Sequence, residues 1–252
     1  MFIKELNIQF FRGVAVTTEK NMRIYYTKAP VLIFGLLFPL FLFLAFYLGR
    51  KVDFVSFFPG FLAMSLFFTA SSVGPLITPW EKQAGTYERL LSFPVNINTL
   101  ILGDTVAGMI FGIFISLGVL AVGLAFLGLG VNLFFLVFGT LVASFCFSSL
   151  GVLLASPSSR APSNVMMLSS LVRFPLIFIS GIFIPLENLQ GVGRGISYFS
   201  PITYLVDIFN IGFKGRSFVS PWLDFVALFV FAIIFLSLAN RLHQRNLMKG
   251  LT

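Results

Sequence analysis

The 252-residue chain has few charged side chains, a single cysteine and a single histidine. Only 10% of its residues are charged, whereas 58% are hydrophobic and the mean hydropathy is +0.98. So little polar surface excludes an ordinary soluble globular protein. Because Cys146 is the only cysteine, the chain cannot form an intramolecular disulfide. We expect the single histidine, His243, to be a solvated residue of the tail. The chain therefore lacks the residues that a zinc site or a Ser-His-Asp triad requires.

The motifs of nucleotide hydrolysis and of ion-coupled transport are also missing. The sequence contains no GxxxxGK[ST] phosphate loop, so the chain does not hydrolyse ATP by that route. None of the nine acids lies near the middle of a long hydrophobic run, which argues against a proton relay or a cation-coupled carrier. We therefore expect no catalytic residue, no metal ligand and no cofactor in this chain.

The sequence has instead a series of long hydrophobic runs, and phenylalanine alone occurs 34 times. Runs of about twenty apolar residues are long enough to cross a bilayer. Because lipid offers no partner to free backbone groups, each run is predicted to be helical. No internal repeat divides the chain, so we expect one all-α, polytopic membrane domain over residues 1–252. Its six spans are predicted at about residues 30–48, 55–77, 100–126, 133–155, 162–184 and 221–239.

Residues 1–29 are mixed rather than apolar. Ile3, Leu6, Phe10 and Val14 recur at spacings of three and four residues among several basic side chains. This pattern predicts an amphipathic helix on the membrane surface. A solvated lead-in to the first span is the alternative.

The Lys and Arg residues are distributed unevenly between the two sides of the predicted membrane domain. Six spans place both termini on one side. That side receives eleven of the 17 basic residues, the other side receives five, and Arg173 lies within the fifth span. The eleven are Lys4, Arg12, Lys20, Arg23, Lys28, Lys82, Arg89, Arg160, Arg241, Arg245 and Lys249; the five are Arg50, Lys51, Arg194, Lys214 and Arg216. The bias places both termini in the cytosol and the chain in the cytoplasmic membrane, and it explains the net charge of +8 without nucleic acid.

The longest polar interruption in the first half of the chain runs from Trp80 to Gly103. Its helix-forming residues predict a short helix from Thr86 to Leu91 that Pro94 ends. This helix is either a handle that a cytosolic partner grips or a solvated connector. In the third predicted span, Gly108, Gly112 and Gly118 would allow another helix, or a second copy of the chain, to approach closely.

Two stretches resemble the ABC type-2 permease family, the membrane subunits of ATP-driven exporters. The first is EKQAGTYERLLSFPVNINTLILGD, and its matching residues are Glu81, Gly85, Thr86, Glu88, Arg89, Leu90 and Pro94. The second is FPLIFISGIFIPLENLQGVGRGISYFSPITYLVD, and its matching residues are Phe174, Pro175, Ser180, Gly181, Pro185, Pro201, Tyr204 and Asp207. One departure is Gln190, where members often have proline.

The resemblance implies a permease that exports a hydrophobic or amphipathic compound, as a homo- or heterodimer in contact with membrane lipids. ATP and Mg would be bound by two separate ATPase subunits. The short helix would be the coupling helix that contacts them, and re-entrant helices between spans five and six would cap the exit. Alternatives are a lipid or glycan exporter of the same family, an integral membrane enzyme acting on lipids, and a stand-alone channel or carrier.

Arg173 is the one ionisable residue deep inside a predicted span, where a charge costs at least roughly 2.5–3.5 kcal/mol. Ser163, Ser169, Ser170 and Ser180 lie within about 60° of its helical face at 100° per residue. Arg173, Ser169, Ser170 and Ser180 are thus expected to line a translocation path that meets anionic groups of the cargo. Alternatively, Arg173 is a structural clamp that donates to serine hydroxyls and to the Leu171 carbonyl, which Pro175 leaves free.

The predicted topology is testable by cysteine labelling. In a Cys146→Ala background, Gln83→Cys is expected to be protected in intact cells and Val192→Cys to react with a membrane-impermeant thiol reagent. Labelling after the membrane is permeabilised controls for reactivity. Labelling at position 83 and not at 192 in intact cells contradicts the topology.

Overall fold

The computed structural model describes residues 2–26, 28–33, 37–48, 54–92, 96–127, 131–157 and 161–250, and over these residues the regular secondary structure is entirely helical. The helices are α1 (Phe2–Ile24), α2 (Ala29–Leu32), α3 (Phe38–Leu48), α4 (Phe54–Ser72), α5 (Gly74–Gln83), α6 (Thr86–Ser92), α7 (Ile97–Leu127), α8 (Leu133–Leu154), α9 (Pro162–Phe178), α10 (Val192–Ser197), α11 (Pro201–Lys214) and α12 (Pro221–Gly250). A single 3₁₀ turn, Leu186–Asn188, lies between α9 and α10.

Four helical stretches of the described chain are long and apolar enough to cross a membrane. They are Ser56–Gln83, Ile97–Ala125, Leu133–Leu154 and Pro221–Asn246. They correspond to the second, third, fourth and sixth predicted spans. The first predicted span is divided between α2 and α3, with residues 34–36 outside the described ranges. The fifth contains α9, which is 17 residues long.

Helix α4 is the centre of the bundle and is buried among α7, α8 and α11. Its phenylalanines meet those of its neighbours edge to face: Phe67 and Phe147 have ring centroids 5.0 Å apart at 88°. The hydroxyl groups of α4 are satisfied locally, since Thr69 donates to the Ser65 carbonyl at 2.8 Å and Ser71 to the Phe67 carbonyl at 2.6 Å. A helix enclosed by apolar partners can therefore carry polar residues without unpaired donors.

Glycines set the closest helix contacts in this bundle. A Cβ on Gly108 of α7 would lie 2.2 Å from Ser148 Oγ of α8 and 3.0 Å from the Ala70 carbonyl oxygen of α4. A Cβ on Gly112 would lie 2.8 Å from Ala70 Cβ, whereas nothing lies within 4 Å of Gly118. Gly108 and Gly112 of α7 thus allow other helices of the same chain to approach closely, whereas Gly118 borders a groove.

The last helix corrects the expectation for the tail. The sixth span was predicted to end near residue 239, but α12 continues to Gly250. His243 is only 5% exposed and its Nε2 lies 3.3 Å from the Val152 carbonyl oxygen of α8. The prediction of a solvated His243 is therefore wrong, because the uninterrupted helix keeps His243 on the same face as buried Ala239, one turn earlier.

Gly108→Ala and Gly118→Ala form a matched pair on α7. Gly108→Ala is expected to lower the free energy of unfolding by about 1–3 kcal/mol, because the added methyl group overpacks the α4–α7–α8 contact. Gly118→Ala is expected to be neutral or stabilising by up to about 1 kcal/mol, since alanine favours the helix and meets no neighbour. Thermal unfolding of the purified variants measures both effects. Equal melting temperatures would contradict this account of the packing.

Candidate functional site

The turn between α5 and α6 depends on a left-handed glycine. Gly85 has a φ of +69°, a conformation that side chains with a Cβ rarely adopt. The Ala84 N–H donates to the Trp80 carbonyl at 2.9 Å and the Gly85 N–H to the Lys82 carbonyl at 3.3 Å, closing the end of α5. Thr86 Oγ1 donates to the Glu81 carbonyl at 3.2 Å, so the first residue of α6 is tied back to α5.

One face of this turn is open. The side chains of Gln83, Ala84, Thr86 and Arg89 are exposed, and no atom lies within 4 Å of a Cβ built on Gly85. We call these five residues, Gln83, Ala84, Gly85, Thr86 and Arg89, the exposed turn. A short helix thus stands where the sequence predicts one, although it ends at Ser92. Pro94, its predicted end, and the Glu88 side chain lie outside what the structure describes.

The opposite face of the turn is anchored inside the subunit. Tyr87 is 9% exposed and Lys82 Nζ lies 5.4 Å from the centre of its ring. Leu90 is half-buried. The predicted helix therefore has the two faces that a handle requires, one available to a partner and one fixed to the bundle.

Glu81 points into the protein rather than towards the exposed turn. Its side chain is 4% exposed, forms an ion pair with Lys20 of α1 and accepts a hydrogen bond of 3.3 Å from the Tyr25 hydroxyl. Burial, followed by the nearby Glu81 carboxylate, raises the pKa of Tyr25, so this hydroxyl remains a donor. Tyr25 also stacks on Trp80 with ring centroids 5.9 Å apart. The geometry places Glu81 between α1 and α5.

Helix α1 is attached to the start of α7 as well. Thr18 Oγ1 donates to the Gly103 carbonyl at 3.1 Å, and Asn21 Nδ2 donates to Asp104 Oδ1 at 2.6 Å. Gly103 permits this approach, since a Cβ there would lie 2.5 Å from Thr17 Cβ. The residues that join α1 to the helices on both sides of α6 are Lys20, Asn21, Tyr25, Glu81 and Asp104, and we call them the polar clasp.

Sequence reasoning assigned Glu81 to the partner and missed the other four residues of the clasp. The available signal was the position of Asp104, an acid at the edge of a long apolar run that needed a polar partner. Asn21 and Lys20 lie on α1, and the spacing of its apolar residues does not identify the helix that its polar side chains meet.

Arg173 of α9 is enclosed within the subunit. It is 1% exposed; its Nη1 donates to Ser72 Oγ at 2.8 Å and its Nε to the Ser169 carbonyl at 3.4 Å. Its Cζ lies 5.9 Å from the centre of the Phe68 ring. Of the serines predicted on its face, Ser169 and Ser180 are buried, Ser170 is half-buried and Ser163 is exposed. The carbonyl that it meets is that of Ser169 and not that of Leu171.

The residues predicted for the external segment lie in and around α10 and α11. Pro201 is the first residue of α11, and the Tyr204 hydroxyl donates to the Tyr198 carbonyl at 2.9 Å. Asp207 accepts hydrogen bonds from the backbone N–H groups of Phe218 and Val219. Pro185 is exposed at the start of the 3₁₀ turn. Within the described residues, no group of three or more His, Cys, Asp and Glu is arranged to hold a metal ion.

Comparison with known proteins identifies the family. The model of the family described as ABC-2 type transporter matches residues 9–214. The inner membrane transport permease YadH of Escherichia coli K12 is 29% identical over 188 residues, which cover 75% of this chain and 73% of YadH. Nodulation protein J of Azorhizobium caulinodans is 27% identical over 205 residues, which cover 75% of this chain and 79% of that protein.

The family match confirms the resemblance of the two sequence motifs, and it excludes a lipid-modifying enzyme and a stand-alone carrier. The chain belongs to the ABC-2 type transporter family and is a non-enzymatic membrane permease subunit of an ABC transporter, whose ATPase is a separate subunit.

Proposed function

We propose that the chain is the permease of an exporter that moves a hydrophobic or amphipathic compound outward across the cytoplasmic membrane. In this proposal the chain crosses the membrane six times, with α2–α3 and α9 as the two additional spans, and α1 lies on the cytosolic surface. Two permease subunits and two ATPase subunits form the transporter. ATP hydrolysis in the partner alternates access to the cargo path between the two sides.

The observation that carries the proposal is the two-sided α5–α6 turn. The exposed turn offers Arg89 and an unobstructed glycine to the ATPase, while the polar clasp fixes the opposite side to α1 and α7. A displacement of α6 is therefore transmitted to α5 and α7 together rather than absorbed in a loose loop. Glu88 and Pro94 retain their expected roles in this contact, and Glu81 acts within it as an anchor.

The apolar character of the proposed cargo is supported by a groove between α3, α4 and α7. It has a volume of about 980 Å³. Its lining includes Leu40, Phe58, Phe61, Phe114, Gly118 and Val122. Such a surface suits an acyl chain or an aromatic ring better than a glycan, because it offers few hydrogen-bonding groups. A lipid belongs to this class of cargo.

At the opposite face, α10 and α11 form part of the proposed external cap. Helix α11 packs against α4, α8 and α12, so a movement of the bundle reaches this segment directly. We propose that α10 and α11 are re-entrant and close the exit until the spans separate.

Gly85→Asn tests the coupling role with little disturbance of the fold. Asparagine adopts the left-handed conformation more readily than most residues with a Cβ, and it meets no neighbour inside the subunit. The variant is expected to insert and to melt slightly below the wild type, as Gly215→Asn does, but to lose most ATP-dependent accumulation of an amphipathic fluorescent dye in inside-out vesicles, because its side chain obstructs the ATPase. Co-purification of the ATPase subunit is expected to fall with it.

Gly215→Asn is the matched control for this experiment. Gly215 has a φ of +65° and likewise no atom within 4 Å of its Cβ position, but it lies at the end of α11. It is expected to leave dye accumulation and ATPase capture unchanged. If Gly85→Asn transports normally at wild-type expression, the exposed turn is a connector; if both variants fail, the loss does not report on the partner.

The burial of Arg173 favours the clamp over a cargo contact. Because its guanidinium joins α9 to Ser72, we expect Arg173→Leu and Ser72→Ala each to lower the free energy of unfolding, Arg173→Leu by about 1.5–3 kcal/mol. The double variant is expected to cost less than the sum. Arg173→Gln and Arg173→Lys are expected to retain export. If Arg173→Leu folds normally but loses cargo-stimulated ATPase activity, Arg173 instead serves the translocation path with Ser169, Ser170 and Ser180.

A further inference from the structure

Two buried aspartates meet where the segment before the last span joins that span. Asp207 of α11 is 3% exposed and Asp224, in the first turn of α12, is fully buried. Their carboxyl groups lie within hydrogen-bonding reach of each other. Neither coupling to an ATPase nor passage of an apolar cargo requires this pair.

Asp207 is supplied with hydrogen-bond donors. The Phe218 N–H lies 2.9 Å from its Oδ1 and 3.0 Å from its Oδ2, and the Val219 N–H lies 2.7 Å from Oδ2. Backbone N–H donors directed at one carboxyl group favour its ionised form. Asp207 is therefore the negative member of the pair.

The surroundings of Asp224 differ from those of Asp207 in their hydrogen-bond donors. Within the described chain, neither of its oxygens receives a hydrogen bond from any donor. An ionised Asp224 would place two negative charges side by side in a buried position, with nothing to solvate the second. The N-terminus of α12 favours a negative charge, but this effect is small beside the repulsion of an adjacent carboxylate. One shared proton removes both difficulties, because the acid O–H of Asp224 then donates to Asp207.

The charged groups near the pair have other contacts. The ion pairs Lys20–Glu81 and Arg23–Glu19, seen among the described residues, include neither acid. Lys214 donates to the Ser56 carbonyl at 3.0 Å.

The remaining groups near the pair come from α10, α11 and the loop after it. Arg194 lies with its Cζ 4.2 Å from the centre of the Phe218 ring. Arg216, like Lys214, is exposed and lines the cavity that Asp207 borders. The Tyr204 hydroxyl donates to the Tyr198 carbonyl at 2.9 Å. From α8, the contacts to this turn of α12 are those of Phe135 and Phe138 with Phe225.

We propose that Asp207 and Asp224 form a proton-binding site that fastens α11 to α12, with Asp224 as the acid and Asp207 as the acceptor. Loss of the proton to solvent breaks the single O–H···O bond and leaves two adjacent carboxylates, which repel. The site depends only on the fold; that it responds to the pH outside the cell rests on the proposed topology. A metal ion is a poorer occupant, because the backbone N–H groups of Phe218 and Val219 already bind both carboxylate oxygens of Asp207.

The proton gives stability a definite pH dependence. The folded pair holds a proton that two separated aspartates would have lost, so the folded state binds more protons than the unfolded state above pH 4, and stability falls as pH rises. Asp224→Asn supplies a permanent N–H donor in place of the acid. For the purified full-length chain, we expect the melting temperature of the wild type to fall by several degrees between pH 5 and pH 9 relative to that of Asp224→Asn.

Infrared spectroscopy and a second variant make the test decisive. The difference spectrum between the wild type and Asp224→Asn is expected to show, at neutral pH, the carbonyl stretch of a protonated carboxylic acid. Asp207→Asn is expected to be destabilised at every pH, since its amide cannot accept from all the N–H groups. Four results would each overturn the proposal. The melting temperatures of the wild type and Asp224→Asn could depend on pH in the same way, or the acid band could be missing from the difference spectrum. Asp224→Asn could fail to fold, or Ca²⁺ or Mg²⁺ could stabilise the wild type in a way that Asp224→Asn abolishes. None of these readouts involves transport, so this test is independent of the proposed export function.

Discussion

The enclosure of α4 by protein is the constraint from which most of the structure follows. A helix with neighbours on every side cannot leave a hydroxyl group unpaired or tolerate bulky residues at each crossing. Thr69, Ser71 and Ser72 accordingly donate to carbonyls of their own helix, and α7 presents Gly108 and Gly112 to it. The surrounding helices retain exposed apolar side chains such as Phe114 and Met167 on their outer faces, which is the surface a lipid environment requires.

Charge in this protein is concentrated where helices end, and there it serves attachment. The Lys20–Glu81 pair joins the N-terminal helix to the end of α5, and Asn21 joins it to Asp104 near the start of α7. If the ATPase contacts the exposed turn as we propose, these attachments lie close to the point where it applies force. Hydrogen bonds to charged groups contribute more than neutral ones, so a few of them suffice at this position.

The elements that the sequence predicted are those determined locally. The α6 helix and the long helices after residues 96 and 132 depend on residues near one another in the chain. The directions of Glu81, His243 and Arg173 depend on segments far away: their partners Lys20, Val152 and Ser72 are separated from them by 61, 91 and 101 positions. Helical periodicity identifies a face, but it does not identify the neighbour that covers it.

The length of α12 determines where this chain can be truncated or fused to another protein. Beyond residue 239 α12 is not a free tail, because His243 and Asn246 contact the carbonyl groups of Val152 and Ser156 at the end of α8. Truncating the chain at residue 239 would remove the contacts of α12 with the end of α8. The carbonyl groups of Val152 and Ser156 would then lose these partners. The junction for a fusion partner therefore belongs after the final helical turn, and a flexible linker inserted before it would uncouple the two helices.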